Sequence, residues 1–259
     1  MMAYLPKSMR SYIWDNTEDL RAAVFKRCPH LRHLLLKFSI VPSLNEVRPG
    51  QFEFGSKIFI SRSQAFQDIY VQASSMGHKF RHYLEIGSAH PEQASNTFAL
   101  EKSGWTGCSI EIDPDLVNEF SKIRQGNVIC ADALSLDYRD LLIKLEFPPQ
   151  IGYLQIDIDP AETSLKCLKS IPFNDYRFAT ITFEHDSYVS GAAVKNESRN
   201  FLHKMGYVLV RKDVEWAPGK PFEDWWVHPE LVPLDHWKSF KGKGHLNRKS
   251  SLRFGSLFT

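Results

Sequence analysis

The segment YLEIGSAHPEQASNTFALEKSGWTGCSIEID, residues 83–113, contains two short apolar runs that each end in an acidic residue, with a helix-length stretch between them. The first run ends at Glu85 and the second at Glu111, 26 residues later. This distance accommodates a strand, a crossover helix and the start of a parallel strand. The predicted elements are a strand at Tyr83–Gly87, a helix near Glu92–Lys102 and a strand at Gly107–Ile112.

Three further apolar runs repeat this pattern. They end at Asp132, Asp157 and Glu184, at successive intervals of 21, 25 and 27 residues counted from Glu111. The repeat is typical of a doubly wound parallel sheet, whose ligands bind outside the carboxyl ends of the strands. The additional predicted strands are Asn127–Cys130, Ile151–Ile156 and Phe178–Phe183. The five strand-end acids should therefore lie along the edge of one pocket.

Beyond Asp186 the pattern changes. Residues 191–205 favour a helix, and the segments YVLVRKDV and FEDWWVHP are close enough in sequence to form an antiparallel hairpin. Such a hairpin often completes an otherwise parallel sheet. Trp225 and Trp226 should face opposite sides of their strand, so that one packs in the core and the other packs there too or faces the substrate.

The remaining segments divide the chain into three predicted parts. Residues 1–60 form an N-terminal helical cap with a helix at Asp15–Cys28, residues 61–230 form the core, and residues 231–259 form a basic tail. In the core, residues 61–76 should form a helix capped by Ser61 or Ser63. Asp113 should cap another helix at Pro114–Ile123, where proline suits the first turn.

Composition excludes few classes of function. The net charge of +2 indicates no strong attraction to nucleic acid or to a membrane surface. The four cysteines form no CxxC pair, and no apolar stretch is long enough to span a bilayer. We therefore expect a cytoplasmic protein without a membrane span or a nucleic-acid partner, which binds a small molecule and is a monomer or a homodimer.

Gly87 stands where the chain must turn after the first strand, but the GxGxxG sequence that holds a pyrophosphate is missing. A cofactor without phosphate, such as S-adenosylmethionine, does not need that motif. It still needs a carboxylate for its ribose hydroxyls, and Glu111 has the right position, with Ile112 beside it. Asp132 could accept from the adenine amino group while Ala133 donates a backbone N–H, or Asp132 could simply cap a turn.

Several segments resemble the FkbM-like methyltransferases. These segments are SQAFQDIYV, YLEIGSAHPEQASNTFALEKSGWTGCSIEIDP, YLQIDIDPAE and TITFEHD, and the resemblance covers roughly residues 61–229. The family uses S-adenosylmethionine and mostly methylates hydroxyl groups of sugars or natural products. The resemblance implies an α/β, Rossmann-like class I methyltransferase fold, with a mostly parallel seven-stranded sheet and an antiparallel C-terminal hairpin. It also implies an O-methyltransferase with a carbohydrate or glycosylated small molecule as acceptor.

The resemblance also implies residue roles. Glu85, Gly87 and Ser88 would line the methionine end of the cofactor, Glu111 the ribose and Asp132 the adenine. Gln67 and Asp68 match the helix before the first strand, although such a pair can also be an ordinary polar helix face. The pair Asp159-Pro160 departs from the family's usual Glu-Gly, which affects the turn after the fourth strand.

A hydroxyl acceptor must lose its proton during methyl transfer. His185 is the natural general base, with Asp157 beside it, although a single histidine at a strand end can also be structural. Asp157, Asp159 and Glu184 could instead hold Mg²⁺, which would acidify a bound hydroxyl, or could cap the following turns. Two other functions remain open: a non-catalytic S-adenosylmethionine-binding or scaffold protein, and, with less support, an NAD(P)-dependent oxidoreductase.

Overall fold

The structure, a computed structural model, describes residues 51–54, 57–75 and 80–244. These residues all belong to a unit that begins at Gly50. The predicted helix at Asp15–Cys28, most of the predicted cap and residues 245–259 of the basic tail lie outside the described residues. Within the described part of the cap, β1 (Gln51–Phe54) and β2 (Lys57–Ile60) pair as an antiparallel hairpin.

An eight-stranded sheet organises the rest of the described chain. Its strands are β3 (His82–Ile86), β4 (Thr106–Glu111), β5 (Asn127–Cys130), β6 (Gln150–Ile156), β7 (Arg177–Glu184), β8 (Val208–Ala217), β9 (Lys220–Val227) and β10 (Gly242–Lys243). The five predicted parallel strands are confirmed, with their ends shifted by at most one residue. Apolar runs of this length, bounded by turn residues, therefore located the strands well.

The spatial order of the sheet is β10-β8-β9-β7-β6-β3-β4-β5. Strands β3 to β7 are parallel, and β9 runs antiparallel to both of its neighbours, β7 and β8. This is the predicted Rossmann-like, doubly wound arrangement with an antiparallel C-terminal hairpin. The sheet has eight strands rather than seven because the two residues of β10 add to β8. The strand order reverses between β3 and β6, which is the switch point where such folds bind ligands.

Short helices cover the sheet. They are α1 (Gln67–Ser74), α2 (Phe98–Lys102), α3 (Pro114–Ile123), α4 (Tyr138–Lys144), α5 (Ala161–Ser170), α6 (Ser187–Ser190), α7 (Ala193–Lys204) and α8 (Leu234–Trp237), with 3-10 turns at Ala133–Ser135 and Lys238–Phe240. The predicted cap of α3 is confirmed, since the Asp113 carboxylate accepts from Asp115 N at 2.8 Å. Within the described ranges, no helix is long and apolar enough to cross a bilayer.

Two sequence predictions about helix starts need correction. The helix predicted over residues 61–76 begins only at Gln67, after Phe66. Ser63 Oγ accepts from Asp68 N in its first turn at 3.4 Å, while the hydroxyls of Ser61 and Ser63 both donate to the buried Asp68 carboxylate, at 2.6 and 2.7 Å. The helix predicted near Glu92–Lys102 begins only at Phe98, and residues 88–97 form a loop. The backbone of this loop includes residues with positive φ, which a helix cannot accommodate.

Each face of the sheet packs a separate apolar cluster. Trp225 lies in the cluster on the α1 side, stacked on Tyr70 at 4.9 Å between ring centroids, whereas Trp226 lies in the cluster on the α5 and α7 side. The predicted opposite orientation of the two tryptophans is confirmed, and both are fully buried. Burying each indole stabilises the fold by roughly 3 kcal/mol, so neither is available to a substrate.

The chain folds onto the core beyond residue 230, where the sequence predicts the start of a basic tail. Trp237 and Phe240 are buried in the cluster on the α1 side. Arg211 of β8 donates to the carbonyl oxygens of Phe240 and Gly244, at 3.2 and 3.0 Å. The first part of the predicted tail therefore packs on the core through its few aromatic residues. The many charged residues around them make this segment look solvent-exposed in the sequence.

Candidate functional site

The switch point is formed by the closest approach of two strand ends. Gly87 follows β3 with φ of +82°, and a Cβ atom at this position would lie 1.8 Å from the carbonyl oxygen of Asp157, which follows β6. Gly87 N and Ser88 N both donate to Ile110 O of β4, at 2.9 and 3.2 Å. The absence of a side chain at Gly87 is therefore required for the chain to pass between β4 and β6.

A loop of residues 88–97 leads from this turn to α2. Ala89 and Ala94 have φ of +48° and +55°, a conformation that L-residues other than glycine rarely adopt. Glu111 holds the first of them, since its Oε2 accepts from Ala89 N at 2.8 Å, and Ala94 bridges to Ser63. Strained backbone of this kind persists only when surrounding contacts fix it, and it is often found at functional sites.

Three buried side-chain oxygens around this turn have no hydrogen-bond partner among the described residues: Ser88 Oγ, Asn96 Oδ1 and Gln155 Oε1. Each of these residues is more than nine-tenths buried. Gln155 pairs with Glu85 across the β3–β6 ladder and therefore lies directly below the turn. A buried polar atom without a partner costs free energy of about 1–3 kcal/mol, so a polar ligand that reached these three oxygens would recover part of that cost.

Glu85 lies beneath this turn rather than on its surface. Its side chain is 1% exposed, and Oε2 accepts hydrogen bonds from Ser109 Oγ at 2.6 Å and Thr97 Oγ1 at 2.7 Å. Burial raises the pKa of Glu85, while the nearby Arg124 guanidinium opposes that shift. The structure therefore gives Glu85 a supporting position, in contrast to the expectation that it lines the pocket, because its strand face points into the protein.

Glu111 ends β4 and is fixed by backbone donors. In addition to Ala89 N, its carboxylate accepts from Ile112 N at 2.9 Å and from Asp113 N at 3.0 Å. The side chain of Ile112 is 66% exposed, which is unusual for a large apolar residue beside a buried acid. The end of β4 thus offers an oriented carboxylate next to an apolar surface.

The end of β5 carries the next predicted pair. Asp132 is exposed and caps the following 3-10 turn, accepting from Leu134 N at 2.9 Å, and Ala133 is buried. The capping alternative for Asp132 is therefore observed. Leu134 is 43% exposed and adds apolar surface at the same sheet edge as Ile112.

The residues of α1 contact the site from below. Gln67 Oε1 accepts from Ala65 N at 2.8 Å, and its side chain also hydrogen-bonds Glu223 of β9. Asp68 is fully buried and binds the two serines of the preceding loop, so both residues are internal rather than solvated.

A cluster of four carboxylates lies where β6 and β7 end and β9 begins. Its members are Asp157, Glu184, Asp186 and Glu223. Burial, together with the nearby carboxylates of Asp157 and Asp186, raises the pKa of Glu184 well above its ordinary value. Glu223 lies opposite Glu184 in the β7–β9 ladder and is almost fully buried. Burial raises the pKa of Glu223 to about 8, with a further contribution from Asp157. Glu223 was not predicted as a site residue from the sequence, although an acid between aromatic residues of the strand FEDWW indicates a buried carboxylate.

His185 does not fit the predicted position of a general base. The side chain has no exposed surface and faces the α7 side of the sheet. Its Nδ1 accepts from Ser187 N at 3.2 Å, and its Nε2 lies 3.5 Å from Asp224 Oδ1. Because side chains alternate along β7, Glu184 faces the site and His185 points away from it.

His185 belongs to a buried ion network. Arg199 of α7 donates to Asp224 at 2.7 and 2.8 Å and to Asp213 at 2.9 Å, and Lys195 also donates to Asp213, at 3.0 Å. Burial alone would raise the pKa of Asp224, but the hydrogen bonds from Arg199 and the nearby His185 ring lower it to about 2. The network joins α7 to the β8–β9 hairpin.

The predicted metal ligands do not converge. Among the described residues, the set of three whose ligand atoms come within 4.8 Å of one another is His185, Asp213 and Asp224. Its carboxylates are neutralised by Arg199 and Lys195, which leaves little attraction for a metal ion. Asp157, Asp159 and Glu184 do not form such a set among the described residues, and Asp159 is exposed three residues beyond β6.

No family model matches the sequence, and no curated protein matches it. Solved structures similar to this chain include a TehB-like SAM-dependent methyltransferase from Corynebacterium glutamicum, with 13% identity, a TM-score of 0.41, and coverage of 63% of this chain and 88% of that chain. TrmK of M. capricolum in complex with S-adenosyl-homocysteine has 14% identity and a TM-score of 0.43, covering 71% and 73%. An O-methyltransferase from Bacillus cereus in complex with SAH has 16% identity and a TM-score of 0.44, covering 63% and 80%.

At this level of similarity no residue role passes from those proteins to this chain. The resemblance to FkbM-like methyltransferases stays a prediction from the sequence.

Proposed function

We propose that this protein is an S-adenosylmethionine-dependent methyltransferase that methylates a hydroxyl group of a sugar or a glycosylated small molecule. The observation that carries the proposal is the set of three buried, unpartnered oxygens of Ser88, Asn96 and Gln155 at the switch point of the sheet. The methionine end of the cofactor bears an ammonium and a carboxylate. The two amide oxygens suit the ammonium donors, and the Ser88 hydroxyl can donate to the carboxylate.

The other half of the cofactor would follow the sheet edge toward β4 and β5. A carboxylate can accept about four hydrogen bonds, and Glu111 already accepts three from backbone N–H groups. In this proposal it therefore binds one ribose hydroxyl rather than two. Ile112 and Leu134 would cover the faces of the adenine ring, with Asp132 and Ala133 at its polar edge.

Gln67 has an indirect role in this proposal, since its side chain contacts Ala65 N and Glu223 rather than open space.

The bound cofactor supplies a methyl group on a positively charged sulfur. The chain's own contribution is to orient the acceptor and to remove its proton as the new O–C bond forms and the S–C bond breaks. Asp157 is the proposed base, because it is partly exposed at the switch point and lies beside Glu184, whose pKa is raised by burial and by the Asp157 carboxylate itself. We do not include Mg²⁺, because the candidate ligands do not form a binding set.

The acceptor would lie above β7 and α6. Tyr188 is 40% exposed, and its ring lies edge-on to Trp216, with 6.2 Å between centroids. Burial and the nearby Asp186 and Glu184 carboxylates raise the pKa of Tyr188. Aromatic rings beside carboxylates suit a sugar, whose apolar ring faces and hydroxyl groups need both kinds of contact.

A turnover assay tests the proposal. The protein is incubated with S-adenosylmethionine and a panel of mono- and oligosaccharides, and mass spectrometry follows S-adenosylhomocysteine and the methylated product. The proposal expects acceptor-dependent turnover, with the methyl group on oxygen and a raised KM for the cofactor in Glu111→Gln. The exposed Glu162→Gln on α5 is the matched control. Cofactor binding without turnover on any acceptor would favour the non-catalytic binding protein, and methyl transfer to nitrogen would contradict the acceptor class.

A further inference from the structure

Arg124 immediately follows α3, and its guanidinium group is completely buried. The ring of Phe120 lies 4.5 Å below the guanidinium carbon, measured to the ring centroid. The guanidinium donates five hydrogen bonds, to Glu101 Oε2 (2.8 Å), Pro91 O (3.0 Å), Ser95 Oγ (3.4 Å), Tyr83 Oη (3.1 Å) and Thr97 Oγ1 (2.9 Å). All five N–H groups of the guanidinium are therefore hydrogen-bonded within the protein.

Three of these five acceptors, those of Pro91, Ser95 and Thr97, belong to the loop of residues 88–97. This is the loop in which Ala89 and Ala94 have positive φ. A loop with two strained residues relaxes unless contacts from outside hold it. Arg124 supplies the largest number of these contacts and holds the loop at three points.

The same loop carries two of the unpartnered oxygens, those of Ser88 and Asn96. Thr97, next to Asn96, connects Arg124 to Glu85 by accepting from the guanidinium and donating to the carboxylate at 2.7 Å. A displacement of Arg124 would therefore move the loop relative to Gln155, which is fixed in β6.

We propose that Arg124 is a positioning residue that holds the loop of residues 88–97 in the conformation that binds the methionine end of the cofactor. The proposal rests on the cofactor site proposed above. Lysine cannot replace arginine at this position, because an ammonium group has three donors and lacks the planar fork that reaches separate acceptors at once.

Arg124 also forms a buried ion pair with Glu101. This ion pair would stabilise the fold even if Arg124 did not influence cofactor binding. The experiment must separate these two roles. Arg199 is a suitable control because it too is a largely buried, multiply hydrogen-bonded arginine, and it lies on the other face of the sheet in the network of Asp213 and Asp224.

The full-length protein and the variants Arg124→Lys and Arg199→Lys are compared in two measurements. Thermal unfolding gives the Tm, and calorimetric titration with S-adenosylhomocysteine, at a temperature well below every Tm, gives the Kd. Both variants should lower the Tm. Arg124→Lys should raise the Kd by about tenfold, whereas Arg199→Lys should change it by less than about twofold.

A second variant, Thr97→Val, removes only the hydroxyl between Arg124 and Glu85, and it decides the question if Arg124→Lys does not fold. It should raise the Kd by about threefold. An unchanged Kd in the folded variants, with a lowered Tm, would overturn the positioning role and leave a structural one. Failure of the wild-type protein to bind S-adenosylhomocysteine would overturn the proposed function, and the positioning role with it.

Discussion

A Cβ atom on Gly87 would lie 1.8 Å from the carbonyl oxygen of Asp157. This relationship joins the first parallel strand of the large sheet to the strand on the other side of its switch point. The two segments of the chain can approach so closely only because Gly87 has no side chain. The turn that results lies at the edge of the sheet where ligands of this fold bind.

Replacing Gly87 with alanine should therefore abolish binding of S-adenosylhomocysteine and lower stability by clearly more than the ~1–2 kcal/mol of a non-glycine residue in a left-handed conformation. Gly104 is the matched control, because its φ is +88° and a Cβ atom there would contact nothing within 4 Å. Urea unfolding and calorimetric titration of both variants measure the difference. Equal losses of stability in Gly87→Ala and Gly104→Ala would show that the close approach to Asp157 has no consequence.

Glu223 should make stability fall with increasing pH. Its pKa is raised from the model-compound value of 4.5 to about 8. Between these values the folded state holds a proton that the unfolded state releases, so the stabilisation present below pH 4.5 is lost as the pH rises toward 8. The slope approaches about 1.4 kcal/mol per pH unit.

The variant Glu223→Gln, which cannot titrate, should flatten this part of the pH profile and be more stable than the wild type at pH 8. Urea unfolding at pH 5, 6.5 and 8 measures it, and Glu162→Gln, an exposed substitution, should keep the wild-type slope. Parallel profiles for wild type and Glu223→Gln would mean that Glu223 is ionised in the folded protein.

Asp157→Asn should lower kcat by about 10²–10⁴-fold, the usual contribution of a general base. Asp159→Asn should change kcat by less than about threefold, because this neighbouring acid is exposed. Both rates are measured with a saturating acceptor found in the turnover assay. Equal losses in the two variants, accompanied by a requirement for Mg²⁺, would restore the magnesium site predicted from the sequence.

His185→Asn should reduce stability while leaving the chemistry intact. Asparagine can still accept from Ser187 N but loses the contact with Asp224, which should cost roughly 1–3 kcal/mol. We expect kcat within about threefold of wild type at 25 °C, because the side chain lies on the face of the sheet opposite the site. A fall in kcat of a hundredfold or more, without loss of folded protein, would return His185 to the role of base.

The parallel strands could be predicted from the sequence because apolar runs and strand-end acids are local signals. The sides on which Glu184 and His185 lie also follow from alternation along a strand, once one of them is assigned to the site. The loop of residues 88–97 could not be predicted. Its alanines adopt positive φ against their own preference. The contacts that hold the loop come from residues far along the chain, since Glu111 accepts from Ala89 N and Arg124 donates to Pro91 O.

The position of Glu223 depends on the antiparallel register of β7 and β9, which pairs it with Glu184. Register is set by packing of the two strands and not by any local pattern. The same applies to Asp224, which forms an ion pair with Arg199 of α7 rather than taking part in the candidate site.

Calorimetric titration of the wild-type protein with S-adenosylhomocysteine tests the central claim most directly. The account predicts saturable 1:1 binding with a Kd of about 1–100 μM, or roughly −8 to −5 kcal/mol, and loss of that binding in Gly87→Ala. A folded wild-type protein that shows no saturable heat with S-adenosylhomocysteine would contradict the account.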